Sequence, residues 1–422
     1  MSPLLGPILA QLVTLGVSDR TEVRHIIADV KYSEVATLPR VGLDFGWKHT
    51  RLSLGYGPSI TVTPLQAQDP NVLIFHAATL AVSQRWQRTT LTLSESGGYG
   101  RINFRSQALA DPRSGPVVST PAATPGGTPG SPAVPTNGGI PGMQPTTGGT
   151  SGTTGGNPLT GYNRPVTFVS SVTALTLNQS LSPVLTFTSG ISYLVTGAVT
   201  PEERLYYPSV RGPGAQAGIT YRASRDDGIT TSASTQLATS SNGNRAWLLT
   251  ATESWTHRLG RTTSTSLGSG LSLTRNSQPD GTIYYVVFPN FLASITNATK
   301  LGRSMLAFGG GVSSAPFIDP SRALVDPRLS ANAFVGLSRD RFSATLTGYS
   351  GLSVATAGNQ GALNGVTGSF NASYRLAAFV SVDSGVRTAW QSFQGNTSVP
   401  LSFAFYAGLT FGLAVPLNGK PH

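Results

Sequence analysis

Apolar side chains fall at every second position through much of this 422-residue chain. In VPLSFAFYAGLTFGLAVPL, residues 399–417, Leu401, Phe403, Phe405, Ala407, Leu409, Phe411, Leu413 and Val415 share one parity. Ser402, Ala404, Tyr406, Gly408, Thr410, Gly412 and Ala414 share the other. The stretch is uncharged and long enough to cross a membrane as a helix. A period of two instead gives a strand with one greasy face and one small, wettable face. Interior glycines, with Pro400 and Pro416 near the ends, also oppose a long helix. The pattern predicts an unusually long strand.

The alternation recurs. Val41, Leu43, Phe45 and Trp47 share a face, as do Leu52, Leu54, Tyr56, Ile60 and Val62. Ala215, Ala217, Ile219 and Tyr221 oppose Gln216, Gly218, Thr220 and Arg222, and Val380, Val382, Val386 and Trp390 oppose Ser381, Asp383, Gly385 and Arg387. In TTLTLSESGGYGRINF the apolar parity switches between Leu91/Leu93 and Ile102/Phe104, which predicts a bulge near Gly97–Gly98. Strand-like segments lie at about 21–35, 40–48, 51–64, 71–86, 88–105, 165–178, 182–198, 213–225, 228–241, 245–257, 261–276, 281–294, 303–316, 326–338, 341–355, 361–374, 376–391 and 399–416. That makes eighteen. Sixteen is the nearest alternative, because 71–86, 245–257 and 281–294 alternate poorly.

A soluble sandwich turns its apolar faces inward, and strands this long are unusual in one. A transmembrane barrel turns them toward lipid, the polar faces toward a lumen, and leaves no free edge. The connections favour the barrel. With the N-terminus on the periplasmic side, even-to-odd connections such as WKHTR, ASRDDG, THRLGR and SRDRF are mostly short and charged. Odd-to-even connections such as TPEERLYYPSVRG, NSQPDG and APFIDPSRALVDP are generally longer. The fold class predicted is all-β: a closed antiparallel transmembrane β-barrel with short periplasmic turns and longer extracellular loops, in a bacterial outer membrane.

Composition agrees. Only 11% of residues are charged, Gly numbers 49 and Pro 29, and no cysteine is present for a disulfide or thiolate site. Residues 111–160 hold 12 Gly and 10 Pro, and no charge falls between Arg113 and Arg164. This marks 106–164 as a Gly/Pro/Thr-rich extracellular loop between strands five and six. In general porins the loop after the fifth strand folds inward, which makes this segment a candidate steric gate as well as a surface loop. Residues 1–20 are apolar and read as an N-terminal leader or residual export segment, with the single barrel over 21–422.

The net charge of +11 is carried by 25 Arg and four Lys, Lys31, Lys48, Lys300 and Lys420. It fits an anionic solute, an anionic lipid or a merely solvated surface; no run of basic residues points to nucleic acid. His25, His49, His76, His257 and His422 are scattered, with no HExxH, no GxSxG elbow and no phosphate loop. The expectation is neither enzyme nor metal site nor cofactor. Strand parity points His25, Asp29, Lys31, Asp44, Arg51, Arg222, Arg328, Asn332, Arg341, Asp383, Arg387 and Gln391 toward the lumen. An Arg-bearing pore favours anions; the plainer reading is Arg–Asp pairs that hold neighbouring strands. Trp47, Tyr56, Trp86, Trp247, Trp255, Tyr284, Tyr285 and Trp390 read as an interfacial girdle, or as sugar-stacking surfaces where they face inward.

The runs LSLGYGPSITVTPL and FHAATLAVSQRWQRTTLTLSESGGYGRINF resemble the outer-membrane β-barrels associated with exopolysaccharide secretion in some Gram-negative bacteria. The resemblance covers roughly residues 40–105 and the general architecture beyond. It implies a pore that conducts a polysaccharide across the outer membrane, above a separate periplasmic polysaccharide-export protein, in contact with membrane lipid and lipopolysaccharide. Two other readings stand beside it: a general diffusion porin for small, anionic solutes, and a plugged barrel serving as a surface anchor.

Overall fold

The computed structural model describes residues 12–27, 31–63, 72–102, 165–205, 207–319, 324–353, 363–393 and 398–416. The strands are β1 (Leu12–Ile27), β2 (Lys31–Thr37), β3 (Arg40–Gly46), β4 (Thr50–Val62), β5 (Val72–Arg85), β6 (Thr89–Ile102), β7 (Val166–Ser182), β8 (Leu185–Ala198), β9 (Val210–Arg222) and β10 (Asp227–Ser240). They continue as β11 (Arg245–Arg258), β12 (Thr263–Ser277), β13 (Ile283–Leu301), β14 (Ser304–Asp319), β15 (Leu324–Arg339), β16 (Phe342–Ser353), β17 (Leu363–Ala377), β18 (Val380–Phe393) and β19 (Ser398–Pro416). A single helical turn, α1 (Pro201–Arg204), lies between β8 and β9.

Each strand pairs antiparallel with its neighbours, and β19 closes on β1 from Thr14↔Pro416 to Ile27↔Phe403. β2 and β3 are two halves of one stave, because both pair with β1 and both pair with β4. The break falls at Leu38–Pro39. Proline has no N–H for the ladder, and the Leu38 N–H still reaches the Arg20 carbonyl at 2.9 Å. The barrel therefore has eighteen staves, a size that leaves an interior channel.

Connections at one end are two to four residues long. Gly302 (φ 62°) and Asp340 (φ 47°) supply the left-handed conformation that two-residue hairpins need. Connections at the other end include 63–71, 199–209 and 354–362, besides the long 103–165 segment. The short-turn end is periplasmic by the rule for such barrels. The expected 106–164 loop lies outside the described residues.

Two expectations change. The first strand begins at Leu12, not at residue 21, and the chain turns between Ile27 and Lys31. Residues 12–20, read above as the end of a leader, pair with β19 through the first half of β1. The charged run Asp19-Arg20-Thr21-Glu22 hid this strand's alternation. Nor does β6 bulge: its register with β5 and β7 is continuous. Ile102 faces inward and is buried with Phe75, Val166, Ala198 and Tyr207. The parity switch came from an apolar lumen surface at the outer end, and from Glu95 on the outward face. Its carboxylate there accepts from Ser171 Oγ at 2.7 Å and from the Thr173 hydroxyl.

Candidate functional site

The lumen changes character along its length. Over its lower and middle reaches many inward positions are Ser, Thr or Asn, which hydrogen-bond across strands, among Gly and Ala with a few apolar side chains such as Leu292 and Phe334. Thr220 meets Thr230 at 3.1 Å, Thr256 meets Ser266 at 3.3 Å, and Ser264 meets Thr296 at 2.8 Å. Ser313–Ser330 (3.0 Å), Thr347–Ser369 (2.6 Å) and Thr188–Asn178 (2.8 Å) extend the pattern around the wall. Alternation forces small residues to this face, and each hydroxyl keeps further hydrogen-bonding capacity for water or a solute.

At the seam where β1 meets β19, the wall carries a paired charge cluster. Arg24 Nη1 contacts Glu34 at 2.9 Å, Arg24 also binds Glu22, and Arg20 Nη2 contacts Glu22 at 3.0 Å. Glu22, Arg24 and Glu34 are fully or almost fully buried. The Arg387 guanidinium lies 4.0 Å from the Tyr406 ring centroid, and Thr410 donates to Asp383 at 2.6 Å. These charges fix neighbouring staves to one another.

At the outer end the inward face is apolar. Ile26, Tyr32, Ala389 and Ala404 form one buried cluster on β1, β2, β18 and β19. Tyr207, from the β8–β9 connection, packs over β5 to β8. That connection is held inward by Thr200 capping α1 and by the Glu203 carboxylate, which accepts the Thr167 N–H at 3.1 Å. Val325, at the start of β15, is fully buried against Val210, Ala238, Ala246 and Leu248 of β9 to β11. The Asn276 amide on β12 donates to the Val325 carbonyl at 2.9 Å and accepts its N–H at 3.0 Å. The β14–β15 hairpin thus leaves the wall and crosses the inner face toward β11 and β12. Its bend coincides with the opposed pair Pro316↔Pro327, where neither residue has an N–H to keep the ladder flat.

The inner mouth is different again. Seven basic residues lie within three positions of a lower strand end: Arg51, Arg85, Arg222, Arg258, Lys300, Arg339 and Arg375. All but Arg339 have the parity of the lumen face. Two carboxylates on that face lie equally near a lower end: Asp44, 3.3 Å from Arg51 Nη2, and Asp383, which accepts from the Thr410 hydroxyl. Lys48, Arg88, Arg225, Arg261, Arg303 and Arg341 add charge in the turns, against Asp226 and Asp340. The mouth is electropositive.

The residues singled out by parity scatter over these zones. Asp44, Arg51 and Arg222 sit at the inner mouth on the lumen face, and Arg341 sits in the β15–β16 turn. Asp383 and Arg387 belong to the seam. Arg328 is buried at the base of the inward hairpin, 5.5 Å from the Tyr349 ring centroid and over Gly351; Asn332 faces inward four pairs below it. His25 and Lys31 point outward, contrary to expectation, because the pairing of β1 with β19 and β2 puts the even-numbered residues of both strands inward. Asp29 and the side chain of Gln391 lie outside the described residues. Sequence reasoning missed Glu22, Arg24, Glu34, Asn276, Val325 and Tyr207. It also missed Arg85, Arg258, Lys300 and Arg375, although basic residues just before a turn were a readable signal.

The exopolysaccharide export family EpsX matches residues 18–417. The chain belongs to that family. No curated protein matches it. Among solved structures, the apoprotein form of the FrpB iron transporter of Neisseria meningitidis is similar at 8% identity and a TM-score of 0.51. That match covers 91% of this chain and 63% of the transporter, so the chain spans less than two thirds of it. OpdQ of Pseudomonas aeruginosa is similar at 12% identity and a TM-score of 0.43, over 96% of this chain and 99% of that one. OccK11 (OpdR) of the same organism gives 14%, 0.43 and 96% of each chain. The likeness to FrpB supports the barrel fold; the family match adds an export role. The protein is an outer-membrane β-barrel of an exopolysaccharide export family.

Proposed function

We propose that this barrel conducts a polysaccharide outward through the outer membrane. The observation that carries the reading is the lumen wall: inward Ser and Thr hydroxyls bonded to each other, in a family of exopolysaccharide exporters. A polymer of sugar hydroxyls exchanges water for such a wall with little net gain, so it binds weakly and moves. The barrel contributes no bond-making step.

The cationic inner mouth suits an anionic chain arriving from the periplasm, since exposed positive charge concentrates anions at an entrance. A separate periplasmic polysaccharide-export protein would hand the polymer to that end. Small anions would use the same route in the diffusion-porin reading. The test is single-channel conductance in a planar bilayer, with neutral and anionic polysaccharides added to one side at a time. Reversible block by polymer from the short-turn side supports the conduit. Steady small-ion conductance indifferent to every polymer sinks it in favour of the porin, and a silent bilayer points to the anchor.

A further inference from the structure

The outer wall carries a second basic feature, far from the lumen. On the lipid-facing side, Arg211 of β9 and Arg245 of β11 stand opposite the same residue, Thr239 of β10. Two strand spacings put their backbones about 10 Å apart. Arg275 of β12 is opposite Trp247, the next outward residue of β11, and so diagonal to Arg245. Tyr285 of β13 is opposite Arg275 in turn. Arg211, Arg245 and Arg275 are exposed, and Trp247 and Tyr285 are exposed by 37% and 66%. The Trp247 ring is fixed by Nε1 donating to Thr235 Oγ1 at 2.9 Å.

All three arginines lie within three positions of the outer ends of their strands, at the depth of lipid headgroups. No Asp or Glu shares the outward face of the outer half of β9 to β13. Guanidinium groups facing acyl chains are costly unless an anion meets them. Three of them on the same outward face of neighbouring staves, beside a Trp and a Tyr, suit the planar, bidentate recognition of phosphate with rings resting at the interface. The other outward cations near this rim, Lys31 and Arg101, lie on other staves, outside this group.

We propose that Arg211, Arg245 and Arg275, with Trp247 and Tyr285, form a binding site for the phosphorylated headgroup of an outer-leaflet glycolipid. The glycan phosphate sits across the three guanidiniums, and the aromatic rings bracket the sugar–acyl boundary. The site anchors β9 to β13 to the leaflet, beside the staves on which the inward hairpin rests.

The test uses the full chain in lipid nanodiscs, with thermal unfolding and native mass spectrometry as readouts. Bisphosphorylated lipid A should raise the unfolding temperature and remain bound in the gas phase, while its dephosphorylated counterpart should do neither. R211Q/R245Q/R275Q should bind it about tenfold more weakly or worse, the equivalent of 1.4 kcal/mol or more. R211K/R245K/R275K should retain part of the binding, and R222Q/R258Q/R375Q, altered only at the inner mouth, all of it. Equal binding of dephosphorylated lipid overturns the phosphate site. Stabilisation reproduced by inorganic phosphate alone overturns the glycolipid assignment, and unweakened binding by the glutamine variant overturns the residues. If the glutamine variant fails to fold, the wild-type lipid comparison and the lysine variant still decide.

Discussion

The two ends of this barrel carry positive charge on opposite faces. At the periplasmic end Arg51, Arg85, Arg222, Arg258, Lys300 and Arg375 point into the lumen, and Arg339 alone of that group points out. At the extracellular end Lys31, Arg101, Arg211, Arg245 and Arg275 point out, while the lumen face is packed with Ile26, Phe75, Ile102, Val210 and Leu248. The inner mouth is arranged to meet something in water. The outer mouth is packed with apolar side chains on its inner face and carries its charge on the face turned to the membrane. One sheet therefore presents an electropositive mouth at one end and a packed, apolar mouth at the other, with hydroxyls between.

That contrast makes the ends fail differently. The largest effect is expected at the seam that joins them. Arg24→Met leaves Glu22 and Glu34 buried without their shared cation, and should cost roughly 3–5 kcal/mol in urea unfolding from detergent. Arg24 and Glu34 replaced together by apolar residues of similar size should recover much of it. Next comes the outer mouth. Asn276→Ala removes both bonds to the Val325 backbone and should cost about 1–3 kcal/mol. It should also raise single-channel conductance without changing ion selectivity, because no lumen charge is altered. Unchanged conductance would mean that the hairpin does not narrow the path.

At the inner mouth the balance reverses. R222Q/R258Q/R375Q should shift stability by less than about 1 kcal/mol, since Arg222 and Arg375 are exposed and Arg258 is half-buried. It should lower anion preference in reversal-potential measurements, most at low salt, where screening is weakest. Arg328 and Arg387, which lie against tyrosine rings, should affect packing more than selectivity when changed to Gln. The smallest effect belongs to Glu95→Gln, which keeps an acceptor for Ser171 and Thr173 while removing a charge from the lipid face. A change near zero, or slightly stabilising, is expected in the same urea assay.

Much of the fold was legible in the chain because a strand's period of two is local. The phenylalanines of residues 399–417, the eighteen staves and the short, charged turns at one end can all be read from neighbours in sequence. The function class followed from the same alternation, since an apolar face turned outward and a hydroxyl face turned inward describe a pore. Local reading failed where a residue's surroundings come from distant chain. The first strand was masked by Asp19-Arg20-Thr21-Glu22, and only pairing with β19, nearly 400 residues away, defines it. Ile102 looked like a parity error until Tyr207 covered it. Arg328 and Arg387 looked like pore charges, whereas each lies against a tyrosine ring of the next strand, on β16 and β19.

The sequence by itself determined that the chain closes into a membrane barrel, because hydrophobic alternation and turn chemistry act over a few residues. Which inward residues line water and which are buried was decided only by tertiary structure. Three devices set that division: the hairpin bent at Pro316 and Pro327, the connection carrying Tyr207, and the closure of β19 on β1. Each depends on contacts between segments far apart in the chain, and no local period encodes such a contact.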